Sequence, residues 1–139
     1  PRLDTVLWRD FLDSLAAHSA FVPAGELPAQ PGRFDAGQVE QALINLLKNA
    51  HESGSAPDAV TLAVRLQAGH WRFEVADRGP GMSQAVLAQA LLPFYSTKRS
   101  GTGLGLALAR EIAEAHGGRI LLANREGGGL QVTLALPAV

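Results

Sequence analysis

The sequence contains no cysteine and only two lysines, and charged residues make up 18% of its 139 positions. Without cysteine the chain can form neither disulfides nor thiolate zinc sites, which is compatible with a reducing compartment. The formal net charge is −1, and no block of like charge supplies the basic face that nucleic-acid binding needs. No apolar run approaches membrane-spanning length, and no signal peptide is visible. We therefore expect a cytoplasmic domain that contacts neither nucleic acid nor a membrane.

Apolar residues are plentiful by contrast, at 47% of the chain. That content suits a single folded domain over residues 1–139 with one sizeable core. The chain begins at Pro1 without a methionine, so we expect it to be a fragment of a longer protein.

Hydrophobic periodicity and turn residues predict an alternation of helices and strands. The predicted elements are a helix over 4–17, a short strand in 19–23, an edge strand near Phe34, a helix over 36–53 with Asp35 as its N-cap, strands over 60–66 and 71–75, a short helix over 84–91 capped by Ser83, a helix from about 103 to 116, and strands over 119–124 and 130–136. Antiparallel neighbours dominate this order, which favours a two-layer α/β sandwich over a doubly wound parallel fold.

The helix predicted at 103–116 carries an apolar stripe on one side, formed by Leu104, Leu108, Ile112 and Ala115. Two consecutive glycines after His116 are typical of a helix end.

The segment NLLKNA places Asn45 and Asn49 four residues apart, so both project on one side of the strongest predicted helix. On a helical wheel Asn49 borders the apolar stripe, and Asn45 lies farther toward the polar face. An amide oxygen is a neutral, hard ligand that suits Mg²⁺ where nucleotide phosphates supply the charge. Two solvent-facing asparagines are the plainer interpretation, although asparagine is a middling helix former at best.

The segment DRGPGM places Asp77 directly after a predicted strand, where its carboxylate can lie at a sheet end beside a pocket. A buried carboxylate needs a donor. The exocyclic amine of adenine is one, whereas guanine presents an acceptor at that position. Gly79 and Gly81 have no Cβ, so the backbone can approach a flat base closely. An ordinary turn containing aspartate is the alternative.

The segment SGTGLGLALAR has three alternating glycines, Gly101, Gly103 and Gly105, at the start of a predicted helix. It matches neither the dinucleotide-binding fingerprint nor the Walker A loop. Backbone N–H groups at a helix N-terminus suit a phosphate; a flexible loop before a helix is the alternative. Just upstream, the segment PFYSTK contains Phe94 and Lys98. Phe94 either fills a space in the core or belongs to a site. Lys98 is either solvated or within reach of a terminal phosphate.

Taken together and in this order, the four motifs resemble the catalytic ATP-binding domain of bacterial two-component sensor histidine kinases, of the nitrogen-regulation type. The resemblance covers roughly residues 1–137 and extends to the wider fold of gyrase, Hsp90 and MutL. It implies an α/β sandwich with a mixed, mostly antiparallel sheet on about three helices, and an ATP lid over about 82–102. It also implies ATP and Mg²⁺ as cofactors.

The resemblance implies roles for particular residues. Asn49 is the expected Mg²⁺ ligand, and Asn45 is the polar residue one turn before it. Asp77 is expected to contact adenine. The other expected nucleotide-binding residues are Gly79, Gly81, Phe94, Thr97, Lys98, Gly101, Thr102, Gly103, Leu104 and Gly105. The candidate catalytic residues are Asn45, Asn49 and Lys98.

Two features depart from this family's pattern. Glu52 stands where many of these kinases carry a basic residue, which departs from the phosphate contact that the family's pattern implies there. None of His18, His51, His70 and His116 matches the phosphoacceptor motif, a histidine followed by an acid within a helical hairpin, and their spacing forms no metal-ligand set. We expect a catalytic half that acts on a histidine of a separate dimerisation domain and, through it, on a response regulator.

Other members of the wider fold offer alternative functions: an ATP-gated clamp ATPase, a serine kinase that binds a sigma factor, or a nucleotide-binding scaffold without catalysis. The clamps and serine kinases resembled here carry glutamate as a general base at the position of Asn45, and an amide cannot accept that proton. The complete set of motifs argues against the scaffold. By itself the fragment is expected to be monomeric, within a parent protein that is free to be membrane-anchored.

Overall fold

The structure, a computed structural model, describes residues 1–89 and 105–138. Its elements are β1 (Asp4–Val6), α1 (Trp8–Ala16), β2 (Val22–Ala24), β3 (Gly32–Phe34), α2 (Ala36–Glu52), a 3₁₀ turn (Pro57–Ala59), β4 (Thr61–Gln67), β5 (His70–Ala76), α3 (Gln84–Gln89), α4 (Gly105–Ala115), β6 (Arg119–Asn124) and β7 (Leu130–Pro137). In the described part of the chain, no helix has both the length and the apolar character needed to cross a bilayer.

A five-stranded sheet forms one layer, with the strand order β2-β4-β5-β7-β6. Its neighbouring strands are antiparallel except for β2 and β4, which run parallel. Helices α1, α2 and α4 supply buried side chains to the same core as the inward face of the sheet, and the short α3 packs Leu87 at its border. This confirms the expected α/β sandwich with a mixed, mostly antiparallel sheet.

Five aromatic rings form the centre of the core between α1 and the sheet. Phe34 contacts both Phe11 and Phe73 in edge-to-face geometry, with ring centroids 5.3 and 5.4 Å apart. Trp8 lies 5.3 Å from Trp71, also edge to face. Such pairs add stabilisation beyond the area that they bury. The cluster therefore fixes α1 against β5. The chain leaves the sheet at the end of β5, after Ala76.

The longest helix, α2, matches its predicted bounds closely. Its buried stripe is Val39, Ala42, Leu43, Leu46, Leu47 and Ala50, as the 3.6-residue period requires. Asp35 is its N-cap, since Asp35 Oδ1 accepts a hydrogen bond of 3.0 Å from the Gln38 N–H. Both predictions are confirmed.

The prediction of a helix from residue 4 is wrong at its start. Residues Asp4–Val6 form β1, which pairs antiparallel with β3, and the helix begins only at Trp8. Local periodicity could not show this, because the partner strand lies more than 25 residues away in the chain. Pairing also buries Val6, and that tertiary contact outweighs the helical tendency of a short segment.

The predicted apolar stripe of α4 is also partly wrong. Leu108 is 44% exposed, and the fully buried positions of this helix are Ala109 and Ala113. Small residues on the buried side let α4 pack closely on α2, so the larger leucine is left outside. The helix ends as predicted, because Gly118 N–H bonds to Ala113 O and Gly117, with φ of 78°, bonds to Glu114 O.

Asp35 gives the start of α2 a pH-dependent component of stability. Burial raises the pKa of the Asp35 carboxyl. Two other effects outweigh burial: the hydrogen bonds from the N–H groups of Gln38 and Arg2, and the positive charges of His116 and the amino terminus. The pKa therefore lies below the ordinary 3.8. A carboxyl with a depressed pKa in the folded state stabilises the protein above its unfolded pKa. That contribution is lost as the pH falls through the folded value.

Replacing Asp35 tests this cap. The variant Asp35→Ala removes the acceptor for Gln38 N–H and is expected to lower the free energy of unfolding by about 1 kcal/mol at neutral pH. In urea unfolding followed by circular dichroism, the difference from wild type should shrink as the pH falls below about 4. The variant Asp35→Asn keeps a cap oxygen without the charge and should stay close to wild type at neutral pH. An undiminished difference at acid pH would contradict the role of the carboxylate.

Candidate functional site

Asp77 directly follows the last residue of β5, and the residue is 4% exposed. Its Oδ1 accepts hydrogen bonds from Gly79 N–H at 2.9 Å and from Leu130 N–H at 3.2 Å. The Asp77 N–H in turn donates to Leu130 O at 3.0 Å, which extends the β5–β7 ladder by one residue. In the described part of the chain both hydrogen bonds to the carboxylate therefore go to Oδ1, and the orientation of the group is fixed.

Residues 77–82, here called the arch, lead from the end of β5 to the end of β6. They cross the first residue of β7, because Leu130 pairs with Asn124 in β6 on one side and bonds to Asp77 on the other. At its far end the Met82 backbone is bound by the side chain of Asn124, with Met82 N to Oδ1 at 2.8 Å and Nδ2 to Met82 O at 2.6 Å. Both ends of the arch are thus attached to the sheet.

Two arginines bind the arch to the hairpin between β6 and β7. Arg125 Nη1 donates to Asp77 O at 2.8 Å. Arg78 Nη1 donates to Glu126 O and Gly128 O, both at 2.9 Å. Both guanidinium groups therefore donate hydrogen bonds to main-chain carbonyl oxygens of the protein.

Gly79 and Gly81 are required by contacts within the protein. A Cβ at Gly79 would lie 2.6 Å from Ser53 Oγ, and one at Gly81 would lie 2.5 Å from Asn124 Oδ1. Gly81 also has φ of 73°, which favours glycine. Close approach of the backbone to a base was the predicted reason for these glycines, but close packing of the arch is sufficient.

The arch also lies against the end of α2. Gly79 approaches Ser53, one turn after Asn49, and Arg78 N–H donates to Ser55 Oγ at 2.9 Å. The end of β5, which leads into Asp77, and the end of α2, one turn after Asn49, are therefore held together.

Asn45 is more enclosed than the helical wheel predicted. Its Nδ2 is buried without a hydrogen-bond partner, one of two such side-chain atoms in the described residues. Asn45 and Asn49 are both half-buried, so neither is a fully solvated surface residue. Asn45 is therefore partly covered although it lies farther than Asn49 from the buried stripe of α2. A buried amide N–H without a partner indicates that an acceptor outside the described protein, such as an oxygen anion or water, belongs beside it.

Several predicted site residues lie outside the described residues. They are Phe94, Thr97, Lys98, Gly101, Thr102, Gly103 and Leu104, and with them most of the expected lid over 82–102. Gly105 is the first residue of α4.

The supporting residues from the β6–β7 hairpin and from the end of α2 could not be recognised in the sequence. Asn124 was expected only as the last residue of the strand over 119–124, and REGGG only as the hairpin turn after it, although Asn124, Arg125 and Gly129 all contact the arch. The one available signal was the row of three glycines, which is longer than a hairpin turn requires.

Comparison with known proteins identifies the class of this fold. A family model described as "Histidine kinase-, DNA gyrase B-, and HSP90-like ATPase" matches residues 34–139. The C4-dicarboxylate transport sensor protein DctS of Rhodobacter capsulatus is 41% identical over 103 residues, or 71% of this chain and 16% of that protein. The nitrogen regulation protein NtrY of Azorhizobium caulinodans is 40% identical over 119 residues, or 80% of this chain and 15% of that protein.

Among solved structures, the catalytic domain of the histidine kinase ThkA superposes with a TM-score of 0.83 at 23% identity. The superposition covers 99% of this chain and 97% of that one. At this identity the match shows the shared fold.

The chain therefore belongs to the histidine kinase-, DNA gyrase B- and HSP90-like ATPase family. Its relatives are sensor histidine kinases, and the chain corresponds to the ATPase-like domain that they contain. The resemblance seen in the sequence is confirmed, including the likeness to nitrogen-regulation kinases. The chain spans only about a sixth of the length of these relatives, which carry further domains.

The packing of the arch on Gly129 can be tested by adding one methyl group. Gly129 has φ of 106°, and its Cβ would overlap the carbonyl oxygen of Asp77. The variant Gly129→Ala should therefore lose more than about 2 kcal/mol of unfolding free energy, because strain and collision add. Gly54 has φ of 93° with nothing within 4 Å of its Cβ, so Gly54→Ala should lose only about 1 kcal/mol. Equal losses in urea unfolding would mean that the hairpin does not approach Asp77 this closely.

Proposed function

We propose that this domain binds Mg-ATP between α2 and the arch and donates the γ-phosphate to a histidine on a separate dimerisation and phosphoacceptor domain. It would act as the catalytic part of a two-component sensor histidine kinase, with residues 1–139 as one unit. The observation that carries this proposal is the buried Asp77, which the arch joins to the end of α2, the helix that carries the half-buried asparagines.

Asp77 suits adenine because its two oxygens are used differently. Protein N–H groups from Gly79 and Leu130 occupy Oδ1. A carboxylate has acceptor sites on both oxygens, so Oδ2 is the one that we assign to the exocyclic amine of adenine. Guanine would bring its O6 acceptor to the same anionic oxygen and be repelled.

Asn49 is the residue that we assign to Mg²⁺. Its neutral amide oxygen would complete the coordination that phosphate oxygens and waters begin, since Mg²⁺ retains several waters in such sites. The unpartnered Nδ2 of Asn45, one turn away on α2, provides a donor for a phosphate oxygen or for a metal-bound water. This donor set fits a metal held mainly by the nucleotide.

Asn45 also favours transfer over hydrolysis. A hydrolase of this fold needs a base to take a proton from water, and a carboxamide has no such capacity near neutral pH. The accepting histidine brings its own nucleophilic nitrogen. The domain then has to supply only positioning and neutralisation of charge on the phosphoryl group.

The segment over 82–102 is proposed as the ATP lid. Within it and just after it, we assign nucleotide contacts to Phe94, Thr97, Lys98, Gly101, Thr102, Gly103, Leu104 and Gly105. Lys98 is the proposed cation for the terminal phosphate. The partner would be the phosphoacceptor domain of the same kinase and, through it, a response regulator; the isolated domain is proposed to be monomeric and cytoplasmic.

Labelling with γ-³²P-ATP tests this division of labour. The isolated domain should bind ATP but carry no acid-labile label, and a dimerisation domain of a related kinase added in trans should become labelled.

The contacts of two histidines agree with this expectation. His51, the one histidine followed by an acid, bonds through Nε2 to Ala20 O at 2.6 Å. Both ring nitrogens of His116 are likewise engaged, with Asp35 N–H and Ile112 O. Appreciable label on the domain alone would contradict the proposal.

The two roles of Asp77 can be separated by substitution. The variant Asp77→Asn keeps an oxygen for Gly79 and Leu130 but turns the other atom into a donor that opposes the adenine amine. Loss of one charge-assisted hydrogen bond corresponds to about 1.5–3 kcal/mol, or roughly a tenfold to hundredfold weaker binding of ADP. Binding of GDP should not fall in parallel, because its O6 can accept from the new amide. Calorimetry that shows equal ADP and GDP affinity in wild type would remove Asp77 from the adenine site.

Asn49→Ala tests the metal assignment. Phosphotransfer to a supplied phosphoacceptor domain should fall strongly, whereas metal-free ADP binding, which we assign to Asp77 and the arch, should be largely retained. The matched control is Gln41→Ala, an exposed amide on the same helix, which should change neither quantity. If the alanine variant transferred phosphate at the wild-type rate, Asn49 would not be the metal ligand.

A further inference from the structure

The side chain of Asn124 makes an unusual pair of contacts. Its carboxamide satisfies both main-chain groups of Met82 at once, accepting from N–H at 2.8 Å and donating to O at 2.6 Å. In that respect the amide acts as one more residue of a β-ladder, at the point where β6 ends. Gly81, the preceding residue, has no room for a Cβ because Asn124 Oδ1 would lie 2.5 Å from it.

The position of Asn124 in the sheet relates it to Asp77. Both are neighbours of Leu130: Asn124 is its partner in the β6–β7 ladder, and Asp77 bonds to its N–H and its carbonyl on the other side. Two inter-strand spacings of about 4.8 Å therefore separate the two ends of the arch. Between them Gly81 passes over Gly129, whose carbonyl oxygen would lie 3.1 Å from a Cβ at Gly81.

We infer that Asn124 is a positioning residue for nucleotide recognition. By fixing Met82 to the end of β6, it holds the arch in the one conformation that keeps the Gly79 N–H on Asp77 Oδ1. The inference rests on the proposed function, since it assigns Asn124 to the adenine site without any contact to the nucleotide.

Asn124 can affect Asp77 because only two hydrogen bonds orient the Asp77 carboxylate. Asp77 is turned by two N–H groups, and one of them, from Gly79, belongs to the arch itself. Gly79 lies between the anchor of the arch at Arg78 and the anchor at Met82, so its position depends on both. When the Met82 end is released, the free protein samples further arch conformations. Nucleotide binding must then select the competent one, and the apparent affinity falls by its fractional population.

The experiment compares metal-free binding of ADP and of IDP, an analogue that carries a carbonyl in place of the adenine amine, by calorimetry. Asn124→Ala should weaken ADP binding about three- to tenfold, as expected for loss of two neutral hydrogen bonds at an exposed position. The preference for ADP over IDP should shrink as well, because that preference reports the orientation of Asp77. Asn124→Asp retains the acceptor for Met82 N–H but sets a carboxylate against Met82 O, and should behave like the alanine variant.

The matched control is Gln67→Ala, which removes an exposed carboxamide at the end of β4 and should leave both affinities at the wild-type values. In the Asp77→Asn background the effect of Asn124→Ala on ADP should be much reduced if it acts through Asp77. Wild-type ADP affinity and preference in both Asn124 variants, with a folded protein by circular dichroism, would overturn the inference. A wild-type protein without any preference for ADP would instead overturn the adenine assignment of Asp77.

Discussion

The burial of one carboxylate determines how this end of the molecule is built. A carboxylate as enclosed as Asp77 is unstable without hydrogen bonds, and the chain provides them to Oδ1 from Gly79 and Leu130. These donors come from segments about 50 residues apart. The arch and the start of β7 must therefore meet at the end of β5, and the helices and strands between them have to permit that meeting.

Close meeting of two backbones explains the glycines better than flexibility does. Gly129 leaves no space for a Cβ beside the carbonyl of Asp77, and Gly79 and Gly81 leave none beside Ser53 and Asn124. In each case the neighbour is protein. These glycines of the arch and the hairpin thus result from three chain segments that cross at short distance.

The sequence predicted most of the fold, because helix α2 and strands β4 to β7 have long periodic patterns that local rules interpret correctly. It failed where a distant partner decides the structure. β1 is a strand only because β3 lies beside it, and α4 buries Ala109 and Ala113 where the apolar pattern favoured Leu108. Asp77 and the asparagines of α2 are candidates that motif order alone proposes. Asn124 and Arg125 could not, because a side chain that binds a backbone loop has no fixed sequence spacing from that loop.

The contact between the arch and the end of α2 joins what would otherwise be two separate half-sites. Asp77 is set by the sheet, whereas Asn45 and Asn49 are set by the helix stripe that packs on it. Two serines bring them together: Ser53, one turn after Asn49, lies against Gly79, and Ser55, beyond the helix, accepts a hydrogen bond from the Arg78 N–H. The ribose links the base of a nucleotide to its phosphates over a limited distance, so in the proposed site affinity would depend on this contact as much as on either half. Because the same arch is held by Asn124 on the other side, a change at the hairpin can alter the geometry of both halves at once.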